Sequence, residues 1–398
     1  MNYEETLLLD ICKGGYPNAI DYTKINWENF LVQSIVHKVF GKVYQVFSNN
    51  QNVPKWFRVL LINTYNWQKE IGETRLREFA KVLSAIHSKG VDVIVLKGAF
   101  LVPNVYHDAG VRGFDDLDIL VEEEWVQAVG NILRDELGYV QGEYDEERDV
   151  IVPCPQAKIK ERASDEQHES AYLKVDHSHS VPIVFMVEVH RRLETVFDHT
   201  HLETKRLFED KVAFNLLDTV SYRLSNENMI THLCYHNYWH TQSLHDIHDR
   251  RDILLRNYMD MYLFINNYSI NWDKVLCLKK NTELWGAISY SLYFLNQIFG
   301  GVLDDDVLSQ LDGTAIEAEE KNIYDRWIIK RRKRKPLGRY DTEFLTRFFA
   351  LNRFETAVSC CDFSDYPKEA IDEYFYYFLH SAKLYNLEGA GFVITESK

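Results

Sequence analysis

A chain of 398 residues can hold two or three domains and bury a sizeable core. Its 46% hydrophobic and 14% aromatic content exclude a disordered chain, and no apolar run approaches the roughly 20 residues that cross a bilayer. A formal net charge of −15 argues against broad non-specific attachment to nucleic acid, while leaving room for a local basic patch.

The N-terminal stretch MNYEETLLLDICKGG has no basic segment ahead of an apolar core, so no export signal is expected. Six cysteines, Cys12, Cys154, Cys234, Cys277, Cys360 and Cys361, form no CxxC pair and read as reduced thiols of a cytoplasmic protein. Residues 26–47 and 56–87 place apolar side chains at three- and four-residue spacing around Pro54, which predicts a helical packing layer. Lys89 and Gly90 then make a turn into residues 91–96 (VDVIVL), an apolar, β-branched run that reads as a buried strand. Lys97 and Gly98 follow it, and residues 99–105 carry a short helical pattern. Gly110 and Gly113 bracket a turn around Arg112.

The run 116–121 (DLDILV) alternates, so Asp116 and Asp118 share one face of a strand and Leu117, Ile119 and Val121 the other. Strands disfavour Asp, and two like charges on one face repel unless a cation lies between them. Asp115 falls on the opposite pleat and is left out of the candidate site. Residues 122–137 read as a helix with an acidic start and residues 145–170 as a polar connection. Residues 171–176 and 182–190 (PIVFMVEVH) form a hairpin that returns Glu188 beside the first two strands, with His190 next on its face. An ion pair of Glu188 with Arg191 or Arg192 would leave the same trace in sequence.

These residues resemble the polymerase-β-type nucleotidyltransferase superfamily: a strand ending in Lys97 and Gly98, a short helix, Arg112, the Asp116–Asp118 pair and a later Val-Glu-Val-His strand. They are most similar to a bacterial branch labelled uncharacterised nucleotidyltransferase, related to the nucleotidyltransferase toxins of defence systems. The chain departs from many members by having Ala99 where Gly-Ser or Gly-Gly would supply a hydroxyl or a second glycine. The resemblance covers residues 91–190 most firmly. It implies an α+β fold in which a small mixed β-sheet core at 89–200 is flanked by helical regions at 1–88 and 201–398. It also implies Mg²⁺ (or Mn²⁺)-dependent transfer of NMP from an NTP to an acceptor.

The chemistry fits the residue types. Nucleotidyl transfer is limited by charge and positioning, and a hard dication needs only two or three carboxylates. Asp116, Asp118 and Glu188 are therefore the candidate catalytic and metal-binding set. Lys97, Gly98 and Arg112 are the candidate nucleotide-binding set, with Gly98 admitting backbone N–H groups near a phosphate.

Further on, His232, His236 and His240 stand at four-residue steps on a helical pattern, a spacing that can hold zinc on one face, though without an HExxH glutamate. The same family shows a Leu-Cys-x-His element matching residues 233–236 and a later Asp-containing apolar run matching 260–265. Both are implied to wall the nucleotide cleft. Six consecutive basic residues, Lys330, Arg331, Arg332, Lys333, Arg334 and Lys335, read either as a phosphate-contacting loop for an RNA acceptor or as a solvated loop. Residues 342–385 read as packing helix. Two alternatives remain in sequence: a non-catalytic nucleotide-binding protein of the same fold, and a metal hydrolase built on the histidine helix.

Overall fold

The computed structural model describes residues 1–15, 20–155, 170–193, 203–241, 243–280, 282–324, 336–362 and 364. It divides into two compact units, one of Met1–Tyr238 with Leu254–Ile316 and one of Trp239–Ile253 with Glu317–Lys398.

The first unit opens with α1 (Tyr3–Cys12), whose start is fixed by a reciprocal capping box between Asn2 and Glu5. The apolar pattern at 26–47 resolves into α2 (Trp27–Val36) and α3 (Phe40–Phe47), separated by Lys38 in a left-handed conformation. Then α4 (Lys55–Ser88) runs for 34 residues without a break. Its buried positions, Phe57, Leu61 and Tyr65 and then Leu76, Phe79, Val82, Leu83 and Ile86, follow the helical period.

The sheet has eight strands in the order β4-β3-β5-β6-β2-β1-β8-β7. Its centre is β1 (Ile94–Val95), β2 (Asp116–Leu120) and β6 (Ile183–His190), with β1 antiparallel and β6 parallel to β2. The expected hairpin forms, as β5 (Tyr172–Asp176) pairs antiparallel with β6. A mixed sheet between helices is what the sequence predicts, but the sheet is larger than the small one expected. One addition is β3 (Val140–Asp145) with β4 (Val150–Pro153) at one edge, β4 falling in the stretch 145–170 that reads as a polar connection and β3 just ahead of it. Val150, Ile151 and Val152 are a short β-branched run, overshadowed in sequence by the charged residues on either side. The other addition is β7 (Val212–Leu216) with β8 (Thr219–Arg223), which lies beyond residue 200 and joins the sheet by parallel pairing with β1. Their two-residue turn puts Leu217 at φ 53°, where Asn or Gly would have announced it.

Between the strands lie α5 (Lys97–Leu101), α6 (Val126–Asn131) and α7 (Thr204–Glu209). After β8 come α8 (Asn226–Thr241), α9 (Leu244–His248) and α10 (Leu255–Asn267).

The second unit has its own small core of Leu244, Ile247, Ile323, Leu337, Tyr340 and Ala357. Within it, Arg353 makes two 2.9 Å bonds to the carboxylate of Asp252, both side chains being buried. The six basic residues from Lys330 to Lys335 lie outside the described residues, as does the sequence after 364. Among the described residues no helix is long and apolar enough to cross a membrane.

Candidate active site

Strand register brings the acidic residues together. β2 and β6 run parallel with Asp118 opposite Glu188, Asp116 opposite Met186 and Leu120 opposite His190. On β6, Ile183, Phe185, Val187 and Val189 bury one face in the core, which leaves Glu188 and His190 on the face that also carries Asp116 and Asp118. β1 reaches the same place from the other side: the Leu96 N–H donates to the Asp118 carbonyl at 2.9 Å, and Lys97 is the next residue. Lys97 holds φ at 41°, a conformation that costs a non-glycine residue about 1 kcal/mol or more. That turn starts α5 and carries the Lys97 ammonium to 3.2 Å from Asp118 Oδ1.

Asp118 is the centre of the cluster and is 1% exposed. Its Oδ1 accepts from Lys97 and lies 2.9 Å from His190 Nε2, whose imidazole is itself 3.5 Å from Glu188 Oε2. Its Oδ2 is buried and has no hydrogen-bond partner among the described residues. Burial opposes charge on Asp118, yet Lys97 and His190 win and hold its carboxyl well below the usual range. Asp116 is half-buried and lacks such partners. Burial first, then the charge of Asp118, push its carboxyl up to about 7 despite Lys97. Burial works against the ammonium of Lys97, but Asp118, Asp116 and Glu188 together raise its pKa. His190 is raised in the same way against its burial, by hydrogen bonds to Asp118 and Glu188.

The site is framed by α4 and α10. Tyr65 donates to Asp108 Oδ2 at 2.8 Å, Gln68 to the Gly110 carbonyl at 2.8 Å and Arg75 to the Phe114 carbonyl at 2.6 Å. The helix thus pins, bond by bond, the loop that leads into Asp116. Arg75 also pairs with the exposed Asp115 at 2.9 Å, which accounts for that acid outside the site. Arg112, expected to meet triphosphate or orient the acids, is instead locked on Asp260 of α10: Nε to Oδ1 at 2.9 Å and Nη2 to Oδ2 at 2.7 Å. Tyr106 adds a 2.6 Å bond to Asp260 Oδ1. Gly98 has a packing reason of its own. A Cβ there would stand 2.7 Å from Phe114 Cβ and 2.8 Å from Arg112 Nη1. α5 continues without a break into a π-helical turn at Val102–Tyr106.

The histidines of α8 divide. His232 and His236 stack loosely with ring centroids 6.3 Å apart, while His240 bonds Asp246 at 2.9 Å. His232 is buried, and burial together with the positive charges of Lys97 and His190 lowers its pKa to about 3. It is therefore a neutral imidazole whose two nitrogens have no hydrogen-bond partner among the described residues. Its lowered pKa shows His232 within electrostatic reach of Lys97, His190 and Asp118. The zinc set of His232, His236 and His240 is not formed. Among the described residues the group able to hold a metal is Asp118, Glu188 and His190, with donor atoms within 4.8 Å of one another. Sequence reasoning had Asp116 in place of His190. The signal for His190 was its period-two spacing from Glu188.

Residues 23–300 match the profile of the uncharacterised nucleotidyltransferase family. The chain belongs to that family. The match takes in the helices α2 to α4, the whole eight-stranded sheet and α8 to α10, so the family's body extends on both sides of the site. No curated protein matches the chain. Among solved structures it is similar to an antigenic nucleotidyltransferase-like protein from Paracoccidioides brasiliensis, at 13% identity and a TM-score of 0.26, over 54% of this chain and 92% of that one.

Proposed function

We propose that the protein is a divalent-metal-dependent nucleotidyltransferase that moves NMP from an NTP to an acceptor. Family membership supports the reaction class. The observation that carries the rest is Asp118 Oδ2, a buried carboxylate oxygen without a partner beside Glu188 and His190. A buried carboxylate oxygen left unpaired is costly, and a cation resolves the cost. The residues present therefore fit a dication, with Asp118, Glu188 and His190 to hold it and Asp116 two residues away. What the ion supplies there is neutralisation of triphosphate charge and polarisation of the attacked phosphate.

The chain's own groups do the remaining work. Lys97, 17% exposed at its side chain, can turn from Asp118 toward the triphosphate. Glu188, 22% exposed at its side chain, stands further out than Asp118 and can accept the proton of the acceptor hydroxyl. The acceptor oxygen then bonds to the α-phosphorus, the bond from that phosphorus to the bridging oxygen breaks, and pyrophosphate leaves. Arg112 holds α10 against the loop and acts as a positioning residue. No disulfide joins the six cysteines, and we infer a reducing, cytoplasmic setting from their chemistry.

Incubation with α-labelled and γ-labelled NTPs, dication, and protein, RNA or small-molecule acceptors tests the reading. The α label is expected on the acceptor and the γ label in pyrophosphate, both lost in Asp118→Asn. Transfer of the γ label instead would assign phosphoryl transfer and overturn the proposal.

A further inference from the structure

The donor set has an uneven chemistry for an enzyme expected to run on Mg²⁺. Two donors are carboxylate oxygens, and the third is an imidazole nitrogen buried on the same face. Hard ions such as Mg²⁺ favour oxygen and bind imidazole poorly, whereas first-row transition dications accept it well. The spacings are those of a coordination shell. Donors at about 2.1 Å from a six-coordinate ion lie about 3 Å apart along each edge. His190 Nε2 is 2.9 Å from Asp118 Oδ1 and 3.5 Å from Glu188 Oε2.

The fold fixes this arrangement. Glu188 and His190 are two residues apart on β6, and parallel register sets Asp118 directly across from Glu188. The neighbouring strand ends also hold each other, because the Val121 N–H donates to the His190 carbonyl at 2.8 Å. His190 is 2% exposed, so its ring is held by packing on the site face and does not swing in from solvent.

We propose that His190 Nε2 is a metal donor, making Asp118, Glu188 and His190 a mixed oxygen–nitrogen centre selective for a first-row transition dication over Mg²⁺. Asp118 offers the ion Oδ1, the oxygen spaced 2.9 Å from His190 Nε2, while its unpartnered Oδ2 takes over Lys97. Until a nucleotide draws it away, Lys97 on that oxygen limits the charge that the ion must balance. The selectivity resides in one side chain. With an oxygen donor at position 190 the centre would be all-oxygen and would lose its preference.

The inference rests on the metal-dependent reading above but is tested without nucleotide, so its failure and the failure of nucleotidyl transfer give different results. Metal-free full-length protein is titrated with Mn²⁺ and separately with Mg²⁺ by calorimetry, and the Mn²⁺ complex is examined by pulsed electron paramagnetic resonance for nitrogen coupling. The wild type should bind Mn²⁺ at least about ten-fold tighter than Mg²⁺ and show one histidine nitrogen coupling. His190→Gln, whose amide can still bond Asp118, should lose the coupling and about ten-fold or more of Mn²⁺ affinity while Mg²⁺ affinity changes little. His232→Phe should keep both. Three outcomes overturn the proposal: no Mn²⁺ binding, Mn²⁺ bound without nitrogen coupling, or a coupling that survives in His190→Gln. Should that variant not fold, His190→Asn replaces it, and loss of coupling in His232→Phe overturns the assignment equally.

Discussion

Two buried charge clusters lie within one unit of this molecule, and they are built to opposite plans. Around Asp260 both oxygens are filled: Arg112 takes the two of them and Tyr106 adds a third bond, and Arg256 nearby brings a second positive charge to the one negative. Around Asp118 the count does not balance. Asp116, Asp118 and Glu188 face Lys97 and His190, and one oxygen of the most buried acid has no partner among the described residues. Side chains two apart on a strand stand roughly 6–7 Å apart, where like charges repel by about 2–3 kcal/mol at an effective dielectric near 20. A cluster that only held the fold together would resemble the first. The second leaves a buried carboxylate oxygen without a partner among the described residues, at the place where the proposed ion would bind.

The comparison can be broken from either side. The largest effect is expected from Glu188→Gln, which keeps the volume and removes the charge. Transfer should fall by about 10²–10⁴-fold in single-turnover measurements, with stability changed by under about 1 kcal/mol. Near-normal turnover with a clear loss of stability would make Glu188 a structural ion-pair partner. Asp260→Ala should show the reverse pattern. Removing one partner strands the buried Arg112 guanidinium and should cost about 3–5 kcal/mol in denaturant unfolding, while metal affinity per folded molecule is kept.

The smallest effect concerns a third buried acid, Glu78 of α4, which bonds Lys174 of β5 at 2.7 Å and Lys81 at 3.1 Å. Burial pushes its carboxyl up, but these two lysines prevail and lower it from 4.5. A depressed folded-state pKa contributes stability that is present above the unfolded value and is lost as pH falls through the folded one. Glu78→Gln should therefore flatten the decline in stability below about pH 4.5 and leave its slope near neutrality unchanged. An acid limb identical to wild type would remove Glu78 from the account.

What the sequence made legible follows from the same contrast. Strand alternation was enough to place Asp116 and Asp118 on one face of β2 and Glu188 with His190 on one face of β6, since period two is a local property of the backbone. It could not say that β2 and β6 pair in parallel with Asp118 across from Glu188, because register is a long-range fact. Arg112 was found by its motif, but the acid it bonds was not. Its partner Asp260 lies 148 residues away, and only packing brings them together. Asp260 stood in a run already matched to the family, so its presence was visible and its function was not. The sheet was underestimated at two places: an exposed edge hairpin at β3 and β4, whose short β-branched run sits among charged residues, and a turn at Leu217 without glycine.

Thermal melting of wild type and Asp118→Asn, each in chelator and in excess Mn²⁺, tests the central claim most directly. If the Asp118 cluster is an incomplete metal centre, the ion raises the wild-type melting temperature. Asp118→Asn melts lower in chelator, because Lys97 and His190 lose the charge they face, and it does not respond to the ion. If Asp118 instead serves only the fold, as Asp260 does, the ion shifts both proteins equally or neither.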